Sequence, residues 1–306
     1  MSARLLLVFT LTTMATLTTY GAPQALWESL DQQARRRKAQ PIAVFEYPVE
    51  YNKEVRHWIK YFQGSGRLAF SRWLSRSSRY LPSINKIFKE EGLPTDLAYI
   101  AMIESGLTSH AVSHAKAVGP WQFIASTGER FGLETNWWLD ERRDFQKSTR
   151  AAAKYLKHLY SMFDCWNLAA ASYNAGENRI ARAMAKYQTR DFWEIARLGV
   201  LARETNNYVP KLIATMLIAK TPSLYGFKNI QKQKPLEFEY IYVPGGTRLE
   251  TLASQAGLSK SSLKELNPEL IRGYIPVQAG GREIRIPEGT AQRVSKALRA
   301  QVIGKN

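Results

Sequence analysis

The 306-residue sequence has one cysteine, four histidines and no apolar run of the length, about twenty residues, that a membrane-spanning helix needs. With Cys165 alone, no internal disulfide can form, and no cysteine follows the N-terminal apolar stretch where a lipid could be attached. Acidic residues are also few, 26 against 43 Lys and Arg, for a formal net charge of +17. This charge indicates an anionic partner, such as nucleic acid, a membrane surface or an acidic polymer.

Residues 1–22 have the pattern of a secretory signal peptide. Arg4 precedes a short, mostly apolar stretch at 5–17, and the small residues Gly21 and Ala22 follow. The stretch is too short and too rich in threonine for a good membrane span, although an uncleaved N-terminal anchor stays open as an alternative. We therefore expect a periplasmic or secreted protein that has no integral membrane segment after cleavage and no nucleic-acid partner.

Glu104 stands out because of its neighbours. It ends the apolar run at residues 97–103 and is followed directly by Ser105 and Gly106. A carboxyl group against apolar neighbours has its charged form disfavoured, which raises its pKa and keeps a proton available near neutral pH. Most glutamates are solvated surface charges, so the position acquires meaning only with the motifs that follow.

Three polar and aromatic motifs follow Glu104, each at the edge of a predicted helix. They are Gly-Pro-Trp-Gln-Phe at 119–123, Ser-Tyr-Asn-Ala-Gly at 172–176 and Glu-Thr-Asn-Asn-Tyr-Val-Pro at 204–210. Together with Glu104 and in this order, they resemble the catalytic domain of the soluble lytic transglycosylase superfamily, within it the membrane-bound lytic murein transglycosylase D group. The resemblance covers residues 45–226 and implies a lysozyme-like helical fold for them.

The resemblance implies that Glu104 cleaves peptidoglycan between N-acetylmuramic acid and N-acetylglucosamine. Glu104 would protonate the glycosidic oxygen and then take a proton from the muramic C6 hydroxyl, which closes a 1,6-anhydro ring without water. Ordinary glycosidases use two carboxylates. No motif pairs Glu104 with a second one, although Asp96, Glu129 and Asp140 could lie nearby in space. No cofactor is implied.

The resemblance also implies which side chains bind the glycan. These substrate-binding residues are Ser113, Trp121, Gln122, Tyr173, Asn174 and Tyr208. The two tyrosines would orient Glu104 and the glycan, and Trp121 would stack on a sugar ring, with core packing as its alternative. One departure is Lys116, which stands where the family usually has glycine.

Two histidines have a spacing that could face a metal ion. His110 and His114 lie four residues apart, which puts two side chains on one face of a helix. No further ligand set accompanies them, and the glutamate of a His-Glu-x-x-His motif is missing. We expect surface histidines and no metal.

Helical periodicity predicts a mostly α region up to residue 226. The predicted helices are 53–64, 66–80, 82–91, one from Pro120 to about 128 or 132, one capped by Asp144 and running to about 162, 168–173, and one capped by Thr205 or Asn206 and running to Lys220. A basic linker at 227–237 follows.

Residues 238–288 change character and predict two strands around two short helices. The pattern resembles a LysM module, a small α+β (βααβ) unit that binds glycans containing N-acetylglucosamine. Thr247-Arg248 stands where such modules usually have Asp-Thr, so a structural appendage is an equal alternative to a glycan binder. The basic residues 289–306 are expected to form a solvated tail, with a helix lying on an anionic surface as the alternative.

The sequence thus predicts a monomeric, exported lytic transglycosylase whose partner is the peptidoglycan glycan strand. Two alternatives stay open. One is a hydrolytic muramidase of the same fold, which would need a water molecule and a second carboxylate. The other is a non-catalytic protein that binds cell-wall glycan.

Overall fold

The computed structural model describes residues 44–303, with side chains described to residue 300, so the proposed signal peptide at 1–22 lies outside the described residues. Of the described residues, 44–226 are mostly helical, and a small two-stranded sheet follows. The helices of this first region are α1 (Lys53–Gln63), α2 (Arg67–Glu90), α3 (Tyr99–Ser105), α4 (Ala125–Arg130), α5 (Phe145–Phe163), α6 (Trp166–Ala175), α7 (Glu177–Tyr187), α8 (Phe192–Arg197) and α9 (Arg203–Lys220). The C-terminal elements are β1 (Phe238–Pro244), α10 (Leu249–Gln255), α11 (Lys260–Leu266), β2 (Gly281–Pro287) and α12 (Ala291–Ile303).

The prediction of two helices at 66–80 and 82–91 is wrong, because α2 runs without interruption through Pro82. Proline removes one backbone N–H and usually bends or ends a helix. Here the apolar face continues on both sides of Pro82, with Phe70 and Ile84 completely buried. Burial of these side chains stabilises the continuous helix more than the proline disfavours it.

Helix α6 lies at the centre of the helical region, as predicted for a short buried helix. Its alanines at 169–171 and Leu168 are completely buried, and it packs against α5, α7 and α9. Small side chains let the neighbouring helices approach closely. The long helix α5 begins as predicted, since the Asp144 carboxylate accepts a hydrogen bond from the backbone N–H of Lys147.

The C-terminal module, residues 238–300, has the predicted βααβ order. Strands β1 and β2 pair antiparallel, with Phe238 opposite Pro287 and Pro244 opposite Gly281. Side chains from both strands and from α10 and α11 fill its core. The predicted fold class, mostly α with a small α+β module, is confirmed.

The basic segment after residue 288 is not the solvated tail that the sequence predicted. It forms α12, which packs against β1 and α10. Val294 is completely buried in the module core, and Ala297 lies beside it. The apolar residues on one face of this helix therefore cover the module, and its basic residues remain on the other face.

A buried ion-pair network joins the module to the helical region. Arg285 of β2 contacts Asp144 at 2.8 Å and Glu269 at 2.7 Å, and all three side chains are buried. The backbone N–H of Asp140 donates to the carbonyl of Glu269 at 2.9 Å. Leu139 also belongs to the module core. Because buried charges must stay paired, this network fixes how the module sits against the start of α5.

The predicted linker at 227–237 lies against α2. The backbone N–H of Gln233 donates to the carbonyl of Ser75, and the Ser78 hydroxyl donates to the carbonyl of Gln233 at 2.9 Å. These bonds satisfy polar backbone groups that a free linker would leave to water. The segment is therefore held along the helical region on its way to β1.

Candidate active site

Glu104 lies at the C-terminal end of α3 and lines an open groove with a volume of 460 Å³. The helix ends at Gly106, whose φ of +59° is a left-handed conformation that glycine adopts without strain. A Cβ added to Gly106 would lie 2.3 Å from Nε1 of Trp73. The tight contact with this indole places the end of α3, and with it Glu104, at the wall of the groove.

The pKa of Glu104 is raised to about 7, chiefly because burial disfavours its charged form. The hydroxyl of Tyr208 donates to Oε1 of Glu104 at 2.6 Å, which lowers the pKa, and the charge of Lys211 lowers it further. The charge of Glu204 raises it. The result is a carboxyl group that can both release and accept a proton near neutral pH.

Helix α9 supplies these three groups from one face, because Glu204, Tyr208 and Lys211 are spaced i, i+4 and i+7. Only Tyr208 was predicted from the sequence. Glu204 begins the fourth motif and Lys211 directly follows it, and their helical spacing from Tyr208 is the signal that could have found them.

Lys211 is held in an aromatic enclosure. Its Nζ donates to the carbonyl of Ile103 at 3.1 Å and lies 5.7 Å from the ring centre of Trp58 and 5.9 Å from that of Trp73. Burial lowers the pKa of Lys211, and the charge of Glu104 opposes that shift. The ammonium is therefore tied to the residue next to Glu104, where it favours the carboxylate form of that side chain.

Tyr173 and Asn174 lie at the end of α6 and line the same groove. The Tyr173 hydroxyl donates to the carbonyl of Trp121 at 2.7 Å, and burial and then the charge of Glu104 raise the pKa of this phenol. The amide of Asn174 donates to Glu204 at 3.2 Å. Tyr208 and not Tyr173 therefore hydrogen-bonds Glu104 directly.

The expected cap of α9 is wrong. Ala202, with extended backbone angles, precedes the helix, so Thr205 and Asn206 both lie inside its first turns. The Thr205 hydroxyl donates instead to Oδ1 of Asn174 at 2.9 Å. A side chain predicted to cap a helix thus orients an amide in the groove.

Ser113 and Gln122, in the loop after α3, also line the groove. The Ser113 hydroxyl accepts a hydrogen bond from the backbone N–H of Ala117 at 3.0 Å, and the Gln122 amide donates to the carbonyl of Gly119 at 2.8 Å. Lys116 has a φ of +58°, in the left-handed region that glycine adopts with less strain than lysine does. The loop is shaped by these internal bonds.

The expected helix from Pro120 is also wrong, since residues 119–122 form a turn and α4 begins at Ala125. Gln122 has a φ of +49°, which no α-helix tolerates. Gly119, with a φ of +85°, lies so close to the carbonyl of Arg142 that an added Cβ would be 1.8 Å from its oxygen. The close approach of these two backbone segments requires glycine at position 119 and fixes the conformation of the turn.

Trp121 is not placed to stack on a sugar. Its side chain is completely buried, its Nε1 donates to the Thr149 hydroxyl at 3.0 Å, and its ring packs against Phe88. The core-packing alternative therefore holds for this residue. A buried indole needs a partner for its N–H, and Thr149 on α5 supplies it.

The candidate second carboxylates lie elsewhere. Asp96 is buried against Lys220 and the backbone N–H groups of residues 46 and 47, and Asp140 pairs with Arg142. Glu129 is exposed on α4 and does not line the groove. Glu204 is the carboxylate that shares the groove with Glu104. Within residues 44–303, no cluster of three His, Cys, Asp or Glu side chains could hold a metal ion.

Comparisons with known proteins agree with the motifs. Residues 82–196 match the model of the transglycosylase SLT domain, and residues 237–302 match that of the lytic transglycosylase MltD, LysM-like domain. The membrane-bound lytic murein transglycosylase D of Escherichia coli (strain K12) is 32% identical over 228 residues, which cover 73% of this chain and 49% of that protein. The chain thus spans about half the length of this curated relative.

Two solved structures are also similar. The 70 kDa soluble lytic transglycosylase of Escherichia coli superposes with a TM-score of 0.42 and 18% identity, covering 68% of this chain and 35% of that one. An inactive mutant of the lytic transglycosylase Slt of Pseudomonas aeruginosa gives a TM-score of 0.38 and 24% identity, covering 50% and 24%. The domain matches confirm the resemblance drawn from the four motifs: residues 82–196 belong to the transglycosylase SLT domain family, and residues 237–302 belong to the MltD LysM-like domain family.

Proposed function

We propose that the chain is an exported peptidoglycan lytic transglycosylase that cleaves the bond between N-acetylmuramic acid and N-acetylglucosamine. The observation that carries the proposal is the environment of Glu104, a carboxyl group with a pKa of about 7 in an open groove. The name of the relative from Escherichia coli, a lytic murein transglycosylase, supports the same substrate. Export rests on the apolar N-terminal stretch. Among the residues that the structure describes, no helix has the length and apolar content to span a bilayer.

Glu104 would act twice in one reaction. In its protonated form it donates to the glycosidic oxygen, so the bond to C1 breaks through an oxocarbenium-like state. The Tyr208 hydroxyl and the Lys211 ammonium stabilise the carboxylate that this step leaves behind. The carboxylate then takes the proton of the C6 hydroxyl, whose oxygen bonds to C1. The 1,6-anhydro ring closes, no water is consumed and Glu104 recovers its proton.

Polar side chains that line the groove would hold the sugars. Gln122 and Ser113 come from the loop after α3, and Asn174, positioned by Glu204 and Thr205, comes from the end of α6. Amide and hydroxyl groups are the partners that acetamido and hydroxyl groups of a glycan require. Their fixed hydrogen bonds would lower the entropy lost when the glycan is positioned.

Hydrolysis by a muramidase mechanism is a second candidate, because Glu204 lines the same groove as Glu104. A second carboxylate could activate a water molecule or stabilise the cation. The hydrogen bond from Asn174 to Glu204 favours a positioning role for this carboxylate instead. The products distinguish the two reactions.

The test is digestion of purified peptidoglycan, with muropeptides identified by mass spectrometry. We expect products one water lighter than those of a muramidase, and a rate at least about 100-fold lower for Glu104→Gln. Glu129→Gln makes the same chemical change on an exposed helix outside the groove, and its rate should match the parent.

Other outcomes would overturn the proposal. If the products have fully hydrated reducing ends, and Glu204→Gln does not form them, the reaction is a hydrolysis that uses two carboxylates. Digestion that is equally fast in Glu104→Gln and the parent would exclude Glu104 as the acid. Glycan binding without products from any variant would favour the non-catalytic wall-binding protein.

A further inference from the structure

A second groove, with a volume of 350 Å³, lies between the helical region and the C-terminal module. His110 and Arg143 line it from the helical region, and Lys264 and Arg272 line it from the module. The remaining lining residues, within 267–273, are uncharged. Among the described residues, therefore, no carboxylate lines this groove, which carries three permanent positive charges and one histidine.

The carboxylate nearest this junction groove, that of Asp140, leaves the hydrogen-bond donors of Arg143 incompletely satisfied. Asp140 contacts Arg142 at 2.8 Å, whereas its contact with Nε of Arg143 is 3.7 Å. Nε of Arg143 is buried and has no hydrogen-bond partner in the part of the chain that the structure describes. Burial and the charge of Arg143 lower the pKa of His110, against the opposing charge of Glu265, whose carboxylate pairs with Arg79 at 2.8 Å. The helical side of the junction groove is thus short of acceptors.

The module side also offers free donors. Arg272 is exposed and contacts the carbonyl of Trp137 at 3.4 Å, and among the described residues it forms no ion pair. Lys264 pairs with Glu250 at 2.7 Å, but more than half of each side chain is exposed. Exposed pairs of this kind exchange partners at little cost. Both cations can therefore reach an anion in the junction groove.

The junction groove and the active-site groove share one loop. His110 lines the first and Ser113, three positions later in the sequence, lines the second. An extended chain spans at most about 3.6 Å per residue, so their Cα atoms are within about 11 Å of each other. A substituent on a glycan bound near Ser113 is therefore within reach of the junction groove.

We propose that the junction groove binds the carboxylates of an acidic peptide attached to the glycan, the stem peptide of peptidoglycan. This inference rests on the proposed function for the identity of the glycan. A guanidinium group binds a carboxylate through two parallel hydrogen bonds, and Arg143 and Arg272 offer such groups from opposite sides. The module thereby contributes to recognition of the peptide, besides any contact with the sugar.

The test measures binding to the full-length Glu104→Gln protein, in which turnover is blocked. Soluble glycan strands are prepared with their stem peptides and, by amidase treatment, without them. The junction variant carries Arg272→Gln and Lys264→Gln, both exposed positions. The matched control carries Arg293→Gln and Lys296→Gln, exposed on α12, and loses the same net charge.

We expect the junction variant to bind peptide-bearing strands about tenfold more weakly and stripped strands as tightly as the parent. The control pair should lose about twofold or less on either strand, as for a nonspecific change of charge. Thermal unfolding temperatures of both variants equal to that of the parent would confirm that their folds are intact.

Two results would overturn the inference: the junction variant binding both strands like the parent, or losing affinity for both strands equally. Titration of the isolated stem peptide separates this inference from the proposed function. If the parent binds that peptide and the junction variant binds it more weakly, the inference about the junction groove is supported, even if the protein with Glu104 intact forms no anhydro products. If the protein forms anhydro products but does not bind the stem peptide, the inference about the junction groove is refuted and the proposed function stands.

Discussion

Replacing Tyr208 with Phe removes the one side-chain hydrogen bond that any described residue makes to the carboxyl group of Glu104, while the aromatic ring stays in place. The bond stabilises the carboxylate form of Glu104. Without it, the protonated form is favoured and the pKa of Glu104 rises above its value of about 7. Because the first step needs the protonated acid, the variant should remain active at higher pH than the parent.

The magnitude follows from the strength of the bond. A hydrogen bond to a charged group contributes about 1.5–3 kcal/mol, and each 1.36 kcal/mol changes a pKa by about one. The fall of kcat/KM on the alkaline side should therefore begin about 1–2 pH units higher in Tyr208→Phe. The maximum rate should also drop, because the carboxylate that forms during the reaction loses the same stabilisation.

The assay is the pH dependence of kcat/KM on soluble glycan strands, since this parameter reports groups of the free enzyme. Tyr173→Phe is the matched control. Its hydroxyl donates to the carbonyl of Trp121 and not to Glu104, so the alkaline fall should stay where it is in the parent. An unmoved profile in Tyr208→Phe, or a move to lower pH, would refute the assignment of the acid to Glu104.

Three further changes test other parts of the structure. Lys211→Met removes the nearby positive charge and should raise the pKa of Glu104, so the pH profile moves upward, whereas Lys211→Arg should keep it near the parent. Arg285→Met leaves its two buried carboxylates unpaired and should lower the free energy of unfolding by about 3–5 kcal/mol, measured by urea denaturation. Gly119→Ala would place a Cβ 1.8 Å from the carbonyl oxygen of Arg142, so we expect it to lower both the thermal unfolding temperature and the rate of digestion. Gly132→Ala is the control, because Gly132 also has a positive φ but has free space around it, and it should lose less of both.

The predictions that succeeded rest on local patterns. The Asp144 cap of α5, the strands around residues 240 and 285, and the short buried helix after Trp166 are all present. Caps, helical periodicity and strand alternation depend on neighbours within a few residues, so a sequence pattern contains them. The D-group resemblance likewise rests on short motifs in a fixed order.

The predictions that failed depend on contacts between distant residues. Two separate helices were expected at 66–80 and 82–91, but burial on both sides of Pro82 keeps α2 continuous. Trp121 was placed in the sugar site but pairs with Thr149 in the core. The segment after residue 288 was expected to be solvated, but Val294 is buried in the module. Local patterns do not specify which face a distant element will cover.

The sequence by itself determined that a carboxyl group, Glu104, follows an apolar helix and that polar motifs accompany it. The tertiary structure decided how that group titrates. Tyr208 lies 104 residues away in sequence, yet its hydroxyl reaches Glu104, and Lys211 follows on the same face of α9. The pKa of a group depends on burial and on charges a few ångströms away, and only the packing of α9 against α3 sets those distances.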